Sequence, residues 1–264
     1  MTVTERIPTP AGDPPPGHAP LEPHPTLGGY YDSPEAKRGF VGAIFDQTAG
    51  DYDRIERMMA LGSGPWYRRQ ALGRAGLAPG MKCLDVGVGT GLVAREALGI
   101  VGAGGEVVGL DPSTGMLAEA AKSLSIRLVV GRAEQLPFED GSFDFLSMGY
   151  ALRHLGDVSA AFREFARVLR PGGTACLLEM TRPRGRVSAA LVKGYMRGIV
   201  PWLARMTSRT ARERQRELWA YYWDTIDACL PPEALKDALA SAGFGDVRRH
   251  VELGLFSEYT GRKL

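Results

Sequence analysis

Cysteine and histidine are scarce in this 264-residue chain: three of the first and four of the second. Cys83, Cys176 and Cys229 form no pairing framework, and two of them fall on predicted buried strands. They read as core thiols in a reducing, cytoplasmic compartment. The histidines are scattered and match no metal-ligand spacing, so no metal site is expected. Net charge is also low. The 32 basic and 30 acidic residues leave +2, which gives no global field for nucleic acid. No signal peptide and no internal repeat are expected from the sequence. Lys193, Arg197, Pro201 and Arg205 interrupt a long apolar stretch and argue against a membrane span. What remains is 44% hydrophobic, enough for one full core. Residues 1–29 hold eight prolines and few apolar anchors. Residues 1–35 are therefore expected to be a disordered or irregular arm, and 36–264 the folded domain.

Against these absences stands one dense motif, Leu84-Asp-Val-Gly-Val-Gly-Thr-Gly91. Met81 to Val86 reads as a buried strand and Leu92 to Leu98 as the start of a helix. A glycine-rich strand-to-helix turn exposes N–H groups and lets a ligand approach the backbone closely. In α/β folds it lies where nucleotide-like ligands bind. A P-loop would need a Gly-Lys-Ser/Thr end, which is missing. A dinucleotide fingerprint would need a third glycine where Leu92 stands. Asp85 would repel a pyrophosphate and suits a cationic ammonium or sulfonium. Glu106 to Leu110 is a second strand ending in Asp111, 20 positions after Gly91. Asp111 can grip both hydroxyls of a ribose or cap a helix over Ser113 to Ser123.

The alternation continues. Arg127 to Val130, Phe143 to Met148 and Thr174 to Met180 read as strands. Ala160 to Leu169 reads as an amphipathic helix ended by Pro171-Gly172-Gly173, and Pro232 to Ala242 as another. Val247 to Glu252 and Leu255 to Thr260 close the chain as two strands joined at Gly254. The expected fold is α/β: a doubly wound, mostly parallel seven-stranded sheet with an antiparallel final strand and a helical lid over 181–230.

The pattern D-x-G-x-G-x-G resembles the first motif of class I S-adenosylmethionine (SAM) methyltransferases. A narrower resemblance runs from about residue 40 to the C-terminus. Phe45-Asp-x-x-Ala49-x-x-Tyr52-Asp53, followed by Met58-Met59 and Trp66, is similar to the N-terminal signature of the UbiE-type quinone C-methyltransferases. Ala133-Glu134-x-Leu136-Pro137-Phe138, Gly141-Ser142-Phe143-Asp144, Arg167 to Gly173 and Leu178-Glu179-Met180 resemble its later motifs. Leu152-Arg153-His154 sits where that family has Leu-Arg-Asn. Arg132 and Glu56 also depart from it: an Asp or Asn commonly stands at the first position and an Asn at the second.

This resemblance implies a SAM cofactor held by Tyr52, Asp85, Gly87, Gly89, Gly91, Asp111, Pro112, Met116, Ala133, Glu134 and Met148. It places His154, Arg153 and Tyr52 as catalytic candidates, and Asp53, Glu179, Tyr195, Trp219, Tyr222 and Trp223 on the substrate side. Tyr221, Asp224 and Thr225 resemble its Tyr, Glu and Ser there. His154 can accept a proton or cap the next helix. Arg153 can stabilise a phenolate or pair with a carboxylate. Tyr52 can face a sulfonium or lie on an exposed helix face. Glu179 can meet substrate or anchor a loop.

In the lid, Leu191, Val192, Tyr195, Met196, Ile199, Trp202, Leu203 and Met206 recur at helical spacing, and Trp219, Tyr221, Tyr222 and Trp223 follow. They read as helices packed on the sheet edge or as an apolar pocket for a flat substrate. From Arg182 to Arg216 there are nine arginines and one lysine against a single acid, Glu213. The expectation is a SAM-dependent methyltransferase acting on an apolar, aromatic or quinol-like small molecule. Peripheral membrane contact through the basic lid and a homodimer stay open. A secondary-metabolite C- or O-methyltransferase, a nicotinamide oxidoreductase and a non-catalytic SAM-binding protein are the competing readings.

Overall fold

The computed structural model describes residues 20–59, 62–202 and 212–264. Leu203, Arg205 and Met206 of the expected lid lie outside the described residues, as do the side chains of Met58, Met59 and Glu213. Two helices open the chain, α1 (Pro34–Met59) and α2 (Gly64–Arg74). The alternating core follows: β1 (Lys82–Val86), α3 (Leu92–Val101), β2 (Glu106–Asp111), α4 (Thr114–Ala121), β3 (Arg127–Val130) and β4 (Phe143–Gly149). Next come α5 (Val158–Val168), β5 (Leu169–Met180) and α6 (Arg186–Gly194), which a π-turn at Tyr195–Ile199 prolongs. The chain ends with α7 (Arg212–Ala228), α8 (Pro232–Ser241), β6 (Phe244–Glu252) and β7 (Phe256–Lys263).

The seven strands form one sheet in the order β3-β2-β1-β4-β5-β7-β6. β1 to β5 pair in parallel, while β7 runs antiparallel between β5 and β6. The strand direction of progress reverses between β1 and β4, which opens a crevice at their carboxyl ends.

Both faces of the sheet are buried, as parallel sheets require. Leu84, Val86, Leu110 and Leu146 point to α5 and α8, against Phe162, Phe165 and Leu239. Cys83, Val107 and Phe145 point to α2, α3 and α4, against Leu72, Ala97 and Leu117. Each fully buried leucine contributes about 1.5–3 kcal/mol. A third cluster lies off the sheet, where Ile44 of α1 meets Ala189, Met196, Trp219 and Trp223 of the lid.

Several boundaries differ from the sequence expectation. Pro171-Gly172-Gly173 does not separate helix from strand but lies inside β5, where the register with β4 shifts between Phe143 and Phe145. β6 starts at Phe244 rather than Val247, through a bulge in which Asp246 takes a positive φ of 49°. The end of the arm is irregular but fastened. Leu21 N–H donates to Asp157 Oδ1 at 3.1 Å and Val158 N–H to Leu21 O at 2.9 Å. Leu230 N–H donates to Pro23 O at 2.7 Å, and Tyr30 Oη to Asp224 Oδ2 at 2.8 Å. Residues 20–33 thus form a strap across α5 and α7. Backbone pairing holds them in place where composition alone suggested none.

Among the described residues no helix is long and apolar enough to cross a membrane, and no cluster of metal-ligating side chains is present.

Candidate active site

A cleft of about 330 Å³ opens at the carboxyl ends of β1, β2 and β4. Its floor is the β1–α3 turn, and the three glycines there do different jobs. Gly89 has φ +55°, and a Cβ on it would meet nothing within 4 Å. It lines the cleft, so a side chain there would occupy ligand space. Gly87 has φ +68°, and its Cβ would lie 2.7 Å from Ala151. Gly91 has φ +89° and does not border the cleft; its Cβ would lie 2.2 Å from Leu124 Cδ1. The third glycine therefore serves the packing of α3 on α4.

At the end of β2, Asp111 borders the cleft and ties its floor together. Gly89 N–H donates to Oδ2 and Ser113 N–H to Oδ1, both at 2.8 Å. Each oxygen keeps a second lone pair. Burial raises its pKa to about 6. The cap of α4 is Ser113, whose Oγ accepts from Met116 N at 3.0 Å. Pro112, Met116, Ala133, Glu134 and Met148 complete this wall. Glu134 Oε1 accepts from Gly156 N at 2.7 Å, and Arg132 Nε lies 3.5 Å from its Oε2.

Asp85 lies beneath the turn rather than on the cleft wall, 1% exposed. Ser147 Oγ donates to its Oδ1 at 2.7 Å, and Oδ2 is buried with no partner among the described residues. Burial raises its pKa to about 7. The Ala94 amide at the start of α3 also acts on this carboxyl, and the unpartnered oxygen under the cleft floor fits a cationic ligand group. The open Gly89, the free lone pairs of Asp111 and this orphaned oxygen together fit SAM.

The roof comes from α1 and α7. Val41, Phe45 and Tyr52 project from α1, and Tyr222 from α7. The hydroxyls of Tyr52 and Tyr222 share a hydrogen bond of 2.9 Å. Asp46 fastens α1 to the floor: Ser113 Oγ and Gly115 N donate to its Oδ1 at 2.5 and 3.0 Å. His154 borders the cleft where roof meets floor. Its ring stacks on Tyr221 and meets Phe45 and Tyr222 edge-on. Nδ1 lies 3.1 Å from Tyr221 Oη, while Nε2 is buried without a partner among the described residues. Burial, reinforced by the charge of Arg153, holds its pKa well below the ordinary 6.5, so the ring is neutral. The cap of α5 is Asp157, which accepts from Ser159 N and Ala160 N, so His154 is not a helix cap.

Other candidates fall elsewhere. Arg153 is fully buried and does not border the cleft. It is paired with Glu179, equally buried, and its guanidinium lies 4.6 Å from the Tyr222 ring centroid. Arg153 braces Tyr222 from behind, and Glu179 supplies the partner that its buried charge needs. Asp53 accepts from Thr90 Oγ1 and steadies the turn from α1. Tyr195, Trp219 and Trp223 pack in the lid cluster, so of the six substrate-side residues only Tyr222 borders the cleft.

The structure also adds residues. Tyr150 lines the cleft at a positive φ of 59°, which no local pattern announces. Arg68 lines it from the buried stripe Tyr67, Arg68, Ala71 and Leu72 of α2, where a charge among apolar neighbours is the legible sign. Arg38 and Ser113 border it too.

Comparison with known proteins agrees with this geometry. The sequence profile of the ubiE/COQ5 methyltransferase family matches residues 32–263. A demethylmenaquinone methyltransferase of Mycolicibacterium paratuberculosis is 34% identical over 208 residues, 79% of this chain and 86% of that protein. One from Symbiobacterium thermophilum is 30% identical over 239 residues, 88% of this chain and 95% of that one. In fold, the chain is similar to a crystal structure of a SAM-dependent methyltransferase from Thermotoga maritima. The TM-score is 0.61 at 22% identity, covering 84% of this chain and 99% of the other. Similarity of that extent, spanning floor and roof alike, means that the chain belongs to the ubiE/COQ5 methyltransferase family and is a SAM-dependent methyltransferase.

Proposed function

We propose that this enzyme methylates a ring carbon of an apolar quinol-like substrate, the kind of compound named in its demethylmenaquinone relatives. One observation carries the reading: a neutral histidine with a partnerless Nε2, set among aromatic rings at the cleft wall. Bound SAM supplies a methyl group already activated by its sulfonium. Asp111 would take the ribose, and Asp85 would meet the ammonium of the methionine moiety. The chain's remaining task is to bring the acceptor carbon into line and to exclude water. Phe45, Tyr52 and Tyr222 offer flat apolar faces to a flat ring. With Nδ1–H donating to Tyr221 Oη, His154 Nε2 keeps its lone pair. It then accepts the proton of the substrate hydroxyl, which makes the neighbouring ring carbon nucleophilic. Arg153 acts at one remove, by holding Tyr222.

The outer face of the lid supports peripheral contact with a bilayer. Val187, Leu191, Ile199 and Trp202 follow helical spacing and are 75%, 70%, 51% and 56% exposed. Arg182 and Arg197 pair with Asp227 and Asp224, but Arg184, Arg186 and Lys193 have no ion-pair partner among the described residues. An apolar stripe edged by unpaired cations suits an anionic membrane surface, each cation adding about 1 kcal/mol.

Transfer of labelled methyl from SAM to a panel of quinols, phenols and polyketide-like hydroxyaromatics tests the substrate. Carbon methylation of quinols is expected. Methylation confined to non-quinol hydroxyls would replace this reading by the secondary-metabolite one. Flotation with anionic and neutral liposomes tests the surface: salt-sensitive binding to the anionic set alone is expected, and binding to neither defeats it.

A further inference from the structure

We propose that Arg68 holds the carboxylate of the methionine moiety of SAM, an assignment that rests on the SAM-dependent reading of the cleft. Arg68 is 4% exposed and lies on the cleft wall. Its Nη2 donates to Glu56 Oε1 at 2.7 Å. Its Nε and Nη1 are buried and have no partner among the described residues. A guanidinium presents five N–H groups in a fixed fork and matches a carboxylate edge to edge. Burying such donors unmet is costly, and a cleft wall is where a ligand can meet them. Glu56 satisfies one nitrogen only, and the Tyr150 ring, 5.7 Å away, offers a face but no acceptor along the fork.

A second observation fixes the chemistry. The orphaned Oδ2 of Asp85 lies close enough for the charge of Arg68 to act on that carboxyl. An unmet acceptor under the cleft floor and an unmet cationic fork on the cleft wall complement an α-amino acid: ammonium to Asp85, carboxylate to Arg68. Asp111 and Glu134, at the end of β2 and just after β3, also line the cleft and suit hydroxyls and amines. The rival role for Arg68 is a structural tie between α1 and α2 through Glu56.

Calorimetric titration of the full chain with SAM and with decarboxylated SAM separates these roles. The analogue keeps the adenosine, sulfonium and ammonium and lacks only the carboxylate. The parent should prefer SAM by about 10–100-fold, the range of a charge-assisted hydrogen-bonded pair. Arg68→Met should erase that preference by weakening SAM alone, and Arg68→Lys should keep part of it. Retained binding of the analogue shows that the variants are folded. A parent that binds both ligands equally overturns the assignment, even if the methionine variant cannot be folded. So does an Arg68→Met protein that weakens both ligands alike, or that keeps the full preference. A parent that binds neither ligand overturns the cofactor reading itself, and is distinguishable from those results.

Discussion

The floor of the cleft is made mostly of backbone and its roof of side chains. Gly87, Gly89 and the amides tied to Asp111 shape the one, while Phe45, Tyr52 and Tyr222 close the other. The floor is assembled within 27 residues, from Asp85 to Asp111, and its shape follows from local chain chemistry. The roof depends on partners far apart, such as Tyr52 and Tyr222, 170 residues from one another. Damage to the floor should therefore abolish cofactor binding outright. Damage to the roof should divide between stability and turnover.

The largest effect is expected at Gly89→Val. At φ +55° a β-branched residue is strained, and its side chain enters ligand space. Calorimetry should detect no SAM binding, with the melting temperature lowered only modestly; near-parent affinity would break the placement of the floor. Arg153→Met should come next. It leaves the Glu179 carboxylate in the core without its cation, with the Met180 N–H still donating to it, a loss of about 3–5 kcal/mol in denaturant melts. SAM affinity should fall much less, since neither residue borders the cleft. A stability change below about 1 kcal/mol would show the pair to be solvated, as surface pairs are.

His154→Ala should lower turnover by about 100-fold, the lower end for a general base because its basicity is depressed. SAM affinity should hardly move, and the deficit should shrink at high pH, where the substrate hydroxyl ionises unaided. Turnover within a few-fold of the parent would return His154 to a structural role. Asp111→Ala should weaken SAM by about 1–3 kcal/mol through lost charge-assisted hydrogen bonds. Unchanged affinity would leave it a strut for the Gly89 amide.

The mildest effect is that of pH. Burial raises the carboxyls of Asp85 to about 7 and Asp111 to about 6. Only their ionised forms meet an ammonium or accept hydroxyls well. Cofactor binding thus favours proton release, and affinity should rise as pH climbs through 6 to 7 and then level off. Asp85→Asn should flatten the upper part of that profile. Affinity falling over the same interval in the parent would contradict both roles.

The same contrast explains how much was legible in sequence. β1, with its apolar run and the three glycines that follow it, is readable because burial and turn chemistry act over a few residues. β2 with Asp111 is readable for the same reason. Where a strand absorbs a turn, as β5 absorbs Pro171-Gly172-Gly173, pairing with β4 overrides the local cue. The roof was legible as a class of residues but not one by one. Periodicity marks Trp219, Tyr222 and Trp223 alike as helical apolar positions, and only packing decides that Tyr222 turns inward. For Arg153 the sequence leaves phenolate stabilisation and carboxylate pairing equally open, because its partner, Glu179, is 26 residues away on another element.

The strap of residues 20–33 has a bearing on rates. It is bonded at one end to the start of α5 and at others to α7 and to Leu230 just beyond it. A bulky product leaving under that roof moves α7 either with its tether attached or after Leu230 and Tyr30 let go. Two such bonds, at about 0.5–1.5 kcal/mol each, are weak beside the whole fold. Bonds of that size are of the order that can bias a local opening without unfolding the domain. Among the described residues no hydrogen bond links the strap to a floor glycine or to Asp111, so cutting it should alter product release in single-turnover kinetics while the equilibrium hold on the cofactor hardly moves.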